Sequence, residues 1–225
     1  MRLLLLLVLS VSLVACGTNR TVYKSADFSQ KSAAHQTIAV LPVHITETGH
    51  VPKNVSLEDV KAANEKWSLV FQESLHSYIL KQTARNRKGQ MVSFQGVQKT
   101  NAILKEAGLT TADVYNKQPE ELARILGVDA VLMTTLEKNK NFSDGVAYGL
   151  AAGRTVFSIL GQSSAASALW LNASDINMNS YLYDAGNSKL IWKTFRKGGS
   201  SLPSNVDDLV QYYSNWIAKK LPYRS

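Results

Sequence analysis

Two stretches of this chain read as strands buried on both sides. Thr37–Val43 (Thr-Ile-Ala-Val-Leu-Pro-Val) is a continuous β-branched and apolar run ended by a proline, and Val128–Leu136 is a second apolar run. A strand with one wet face alternates apolar and polar residues. A continuous run needs cover above and below, which a sheet obtains from helices. Pro42 has no N–H to give a ladder, so it belongs near its strand's end.

The helices lie where that argument needs them. Ser56 offers an N-cap with Asp59 three residues on. Val60, Ala63, Trp67, Val70, Phe71, Leu75, Tyr78 and Ile79 then follow at spacings of three and four, the longest amphipathic helix, ending before Gly89. Gln90–Gln95 reads as a strand and Gln98–Ala107 as a short helix closed by Gly108. Pro119 starts another helix, with Glu120 and Glu121 in its first turn and Gly127 after its last. Met178–Tyr183 and Leu190–Phe195 flank Asp184-Ala185-Gly186-Asn187, a hairpin signal. A final helix runs from Ser204 to Lys220, with Val206, Leu209, Val210, Tyr213, Trp216 and Ile217 as its apolar stripe. His44–Val55 reads as loop. The expected fold is α/β: one domain over residues 37–220, a mixed central sheet of about five strands and flanking helices.

The first sixteen residues constrain location instead. Arg2 precedes an apolar run from Leu3 to Val14, and Leu13-Val14-Ala15-Cys16 closes it. A positive start, a short apolar core and a small residue at the end read as a signal peptide over residues 1–15. The run falls short of the about 20 residues a membrane-spanning helix needs. Its ending resembles the bacterial lipobox, Leu-x-Ala-Cys. That resemblance implies cleavage before Cys16, palmitate-type acylation of its sulfur, and a lasting anchor by several chains. Gly17, where an aspartate would imply inner-membrane retention, favours the periplasmic face of the outer membrane. Residues 16–36, rich in Thr, Ser, Asn, Gln and Lys, read as an acylated tether.

Cys16 is the one cysteine, so the expected fold has no disulfide and rests on packing. The 25 Lys and Arg against 17 Asp and Glu make the chain basic. That suits anionic headgroups or an acidic wall polymer, or serves solubility; nucleic acid does not fit an exported chain.

Ile38-Ala39-Val40-Leu41-Pro42-Val43 is similar to the opening strand of periplasmic lipoproteins related to the curli secretion lipoprotein CsgG. That group includes the penicillin-binding-protein activator LpoB and the amino-terminal domain of TolB. Leu126-Gly127-Val128-Asp129-Ala130 resembles their helix-to-strand passage. Tyr183-Asp184-Ala185-Gly186-Asn187-Ser188-Lys189-Leu190-Ile191-Trp192 resembles their late hairpin, where a turn leads into a strand bearing tryptophan. The resemblance spans most of residues 37–220. It implies a compact module that binds other envelope proteins without chemistry, or, as an alternative, an oligomeric secretion channel.

Residues 141–172 do not align with that group. Gly145, Gly149 and Gly153 recur every four residues, with Ala147, Ala151 and Ala152 between them. On a helix they form a ridge another backbone can approach, an oligomerisation or membrane contact. Three glycines also weaken a helix by about 1 kcal/mol each, so an insertion packed on its own sheet is the other reading. For catalysis the sequence is poor. His35, His44, His50 and His76 lack metal-site spacing, and no catalytic, cofactor or metal residue is assigned. Gly161-Gln162-Ser163-Ser164-Ala165 is half a nucleophile elbow with no histidine after it.

Overall fold

The computed structural model describes residues 22–49, 56–84, 92–140, 175–198 and 206–223. Cys16, Gly145, Gly149, Gly153, His50 and Gly161–Ala165 lie outside the described residues. In chain order the elements are β1 (Val22–Lys24), α1 (Phe28–Ala33), β2 (Thr37–Val40), β3 (His44–Gly49), α2 (Leu57–Thr83), β4 (Ser93–Phe94), α3 (Val97–Glu106), α4 (Thr111–Val114), α5 (Pro119–Leu126), β5 (Ala130–Lys140), β6 (Asp175–Asp184), β7 (Leu190–Lys197) and α6 (Val206–Lys220).

The strands form one mixed sheet in the order β1-β7-β6-β5-β2-β4, with β3 also on β5. The β2–β4, β2–β5 and β3–β5 pairs are parallel, and the β5–β6, β6–β7 and β7–β1 pairs are antiparallel. The expected architecture therefore holds, with seven described strands in place of about five. The two additions fall where the sequence read as tether and as loop. β1 is three exposed residues zipped onto the edge of β7, too short to show a period. β3 is a polar strand in which Ile45 and Glu47 alternate with His44, Thr46 and Thr48. The nearby glycine, proline and asparagine disguised it. Residues 22–36 thus belong to the fold and not to the expected tether.

Two helices cover one face. α2 begins at Ser56, whose hydroxyl accepts the Asp59 N–H at 3.0 Å. Ala63, Trp67, Phe71, Leu75 and Ile79, four apart, form its buried stripe. The last four meet Val210, Tyr213 and Ile217 of α6 and Ile38, Val40, Leu132 and Leu136 of the sheet in one core. Each fully buried side chain of this size contributes about 2 kcal/mol. The other face is covered by α3, α4 and α5, where Leu104, Val114, Leu122 and Leu126 pack on Ala39, Leu41, Val131 and Met133.

Pro42 marks a break in register. Val40 lies opposite Leu132, yet His44 lies opposite Thr135. Three residues, Leu41, Pro42 and Val43, therefore face two, Met133 and Thr134. That is a β-bulge. Tyr115, just after α4, fills it. Its hydroxyl accepts the Thr134 N–H at 2.9 Å and faces the carbonyls of Thr134 at 2.7 Å and Pro42 at 2.9 Å. One phenol thus satisfies the ladder groups that the proline leaves unpaired.

Candidate interaction surface

The second face is only half covered. On β5, Val131 and Met133 are buried, but Thr135 is half-buried and Glu137 exposed on the same side. On β6, Ile176, Met178, Ser180, Leu182 and Asp184 are buried beneath the α2–α6 layer. Their alternates Asn177, Asn179, Tyr181 and Tyr183 are half-buried. The period-two alternation is that of a sheet with one solvated side. The α3–α5 layer reaches Tyr183, which packs against its core, and no described helix extends cover past it to Tyr181, Asn179 and Asn177.

The open area carries aromatic rings and lysines in register. Tyr181 lies opposite Lys193, and Lys193 opposite Tyr23. The Lys193 ammonium stands 5.0 Å from the centre of the Tyr181 ring, a cation–π contact. Tyr181 and Tyr183 stack with centroids 6.2 Å apart. Phe195, half-buried, lies opposite Asn179. Burial raises both phenols, and for Tyr181 the neighbouring Tyr183 and the Glu137 carboxylate add to the effect. Both therefore remain neutral donors at any physiological pH. Tyrosine, rigid and amphipathic, is a residue that protein-contact surfaces favour; the lysine beside it suits the rim of such a surface.

The histidines occupy three different settings. His35, expected in the tether, is 3% exposed. Its Nε2 donates to Asp184 Oδ1 at 3.0 Å, its Nδ1 meets the Tyr223 hydroxyl, and the Lys31 ammonium donates to Asp184 Oδ2 at 2.8 Å. Burial alone would raise the Asp184 carboxyl. The hydrogen bonds and charges of His35 and Lys31 outweigh it and hold the group below its ordinary value. A tyrosine–histidine–aspartate line has the look of a proton relay. Burial, with the charges of Asp184 and Asp129, pushes the Tyr223 phenol far up, so it keeps its proton. The line acts as a clasp that ties α1, the start of β2, the β6–β7 turn and the C-terminal segment together. His44 stacks on Tyr115 at 4.7 Å, and burial lowers its imidazole. It borders a cleft of about 80 Å³ with Lys61, Asn64 and Thr111, well below the ~300 Å³ at which ligand pockets begin. His76 is buried on α2.

The passages that carried the family resemblance turn out to be backbone fasteners. Gly127 ends α5 in the left-handed region, φ 64° and ψ 46°. The Asp129 carboxylate then accepts the N–H groups of Gln36 and Thr37, at 2.9 and 2.8 Å. In the late hairpin, Ser188 takes φ 53°, Asp184 anchors the clasp, and Trp192 is fully buried. The sequence also concealed Lys138, wholly buried and ion-paired to Glu47, with its ammonium donating to Asn64 Oδ1 at 3.0 Å. Its Leu-Glu-Lys-Asn setting looks like an ordinary polar strand end. Among the described residues, no cluster of three His, Cys, Asp or Glu is placed to hold a metal, and no helix is long and apolar enough to cross a membrane.

No protein-family model matches this chain, and no curated protein matches it. Solved structures do. The LpoB C-terminal domain from Salmonella enterica matches at 12% identity and TM-score 0.39, over 74% of this chain and 84% of that one. Lipoprotein GNA1162 from Neisseria meningitidis matches at 15% identity and TM-score 0.43, over 83% and 97%. A PelC dodecamer from Paraburkholderia phytofirmans matches at 13% identity and TM-score 0.37, over 93% and 100%. LpoB, one member of the group expected from the sequence, is therefore among the proteins this chain is similar to.

Proposed function

We propose that this chain is a non-enzymatic accessory lipoprotein of the cell envelope. In this reading it is acylated at Cys16, held on the periplasmic face of the outer membrane, and binds a partner protein through the open half of its sheet. The uncovered stretch of Tyr181, Lys193 and Phe195 carries the proposal. A sheet closed on one side and left aromatic on the other is suited to contact, and the buried polar groups serve the fold. The lipobox-like ending supplies the address.

Metabolic palmitate labelling combined with photo-crosslinking in cells tests it. A photo-reactive residue at position 181 should yield a discrete adduct with another envelope protein, while one at Leu69 on α2 should not. Absence of palmitate removes the address, and equal adducts from both positions remove the face.

A second reading is an oligomeric secretion channel using residues 141–172, with Gly145, Gly149 and Gly153 as its contact. It is favoured by one observation: β5 and β6 pair up to Asn139 and Asp175, so both ends of that segment leave the sheet side by side. Cleavage at a protease site placed between Cys16 and Val22 separates the two readings. An accessory domain leaves the membrane and a channel stays.

A further inference from the structure

We infer that the corner of the sheet where β1 begins and β7 ends rests on the lipid headgroup layer. The inference depends on acylation at Cys16, as proposed above. Only six residue steps separate Cys16 from Val22, and six extended residues reach at most about 21 Å. A domain tied this closely cannot tumble free of the surface; whatever surrounds Val22 faces the bilayer.

The residues there suit that position. Val22 and Tyr23 are each 44% exposed, large side chains left in the open on an edge strand. Strand alternation sends them to opposite faces, so they flank the edge like two sides of a blade. β1 runs antiparallel to β7, Val22 opposite Thr194 and Lys24 opposite Trp192. The chain therefore enters the sheet from the side on which β7 ends at Lys197. Lys193 lies beside Tyr23 and Lys197 is exposed at that end. Tyrosine settles at the headgroup level with its hydroxyl in water. Lysines beside it lay their stems on apolar surface and lift their charge to anionic headgroups. An exposed strand edge in water invites pairing with another chain; against headgroups it is shielded. The same placement leaves Tyr181, two strands inward, clear of the bilayer for a protein.

Cysteine chemistry makes this testable in the whole acylated protein. Cys16 is the one cysteine, so Tyr23→Cys or Val22→Cys adds a single free thiol. Leu57→Cys on α2, where Leu57 is 73% exposed, is the control. Reaction with a polar, membrane-impermeant maleimide is timed in phosphatidylethanolamine–phosphatidylglycerol vesicles and in detergent. The expected result is a several-fold slower reaction at positions 22 and 23 than at 57 in vesicles, and equal rates in detergent. Equal rates in vesicles overturn the docking and leave the anchor standing. Slow reaction in both media means that a second copy covers the edge, which also overturns it. A second labelled thiol at Cys16 reports that the chain is not acylated, and the anchor and the docking fall together.

Discussion

The two halves of the sheet treat their polar groups in opposite ways. From Ala130 to Thr134, β5 has helices on both faces, and its polar neighbours are committed to the backbone. Gln72 donates to the Val40 carbonyl at 2.8 Å, Gln95 to that of Leu126 at 2.9 Å, and Tyr115 fills the bulge. Across β6, β7 and β1 only one face is covered. There the polar side chains point outward beside tyrosines and a phenylalanine. A buried polar group without a partner costs about 1–3 kcal/mol, so the covered half spends its polar groups on the fold. The open half has them to spare for a partner.

That contrast can be broken by mutation. Leu132→Ala, in the fully buried centre, should destabilise by about 3 kcal/mol, read as a lower denaturant midpoint. Asp184→Asn weakens the charged hydrogen bonds to His35 and Lys31. Because Lys31 is partly exposed, the cost should be about 2 kcal/mol. It should also change the acid limb. The Asp184 carboxyl is held below its ordinary 3.8 in the fold. Its stabilisation is therefore complete above that value and lost as pH falls from it toward the lower folded value. The variant should lose part of that acid slope and keep the neutral and alkaline profile. Tyr115→Phe strips one hydroxyl from the bulge and should cost about 1.5 kcal/mol, with no change in the far-ultraviolet dichroism. Tyr181→Ala, on the open face, should cost under about 1 kcal/mol while abolishing the crosslinked adduct. A cost for Tyr181→Ala equal to that of Leu132→Ala would show that the face is covered in solution, and the comparison would collapse.

The sequence revealed those parts of the fold whose signals are local. Ser56, Pro119 and Gly127 announce the helix ends they make. The turn residues Asp184–Asn187 announce the hairpin between Met178–Tyr183 and Leu190–Phe195, and the continuity of Thr37–Val40 announces a strand covered on both sides. Trp67 and Trp216, read as core, are buried. What stayed hidden depends on distant partners. His35 lies 149 residues from Asp184 and 188 from Tyr223, and nothing near it distinguishes it from a tether residue. Lys138 is buried where Glu47 and Asn64 meet it. β1 is a strand only because β7 has a free edge. The open face was illegible for the same reason. Tyr181 looks like any β-former until one knows that the helices reach Tyr183 and no further.

The extra residue at Pro42 also sets the phase of everything after it. Before the bulge the even-numbered Ile38 and Val40 point into the α2–α6 core; after it the odd-numbered Ile45 and Glu47 do. Were the same residues to pair without the bulge, β3 would turn inside out. Thr46 would arrive where Glu47 now meets Lys138, and the enclosed ammonium would lose that carboxylate. One extra residue between two short strands thereby helps to decide which side chain meets a lysine ninety-six positions after Pro42.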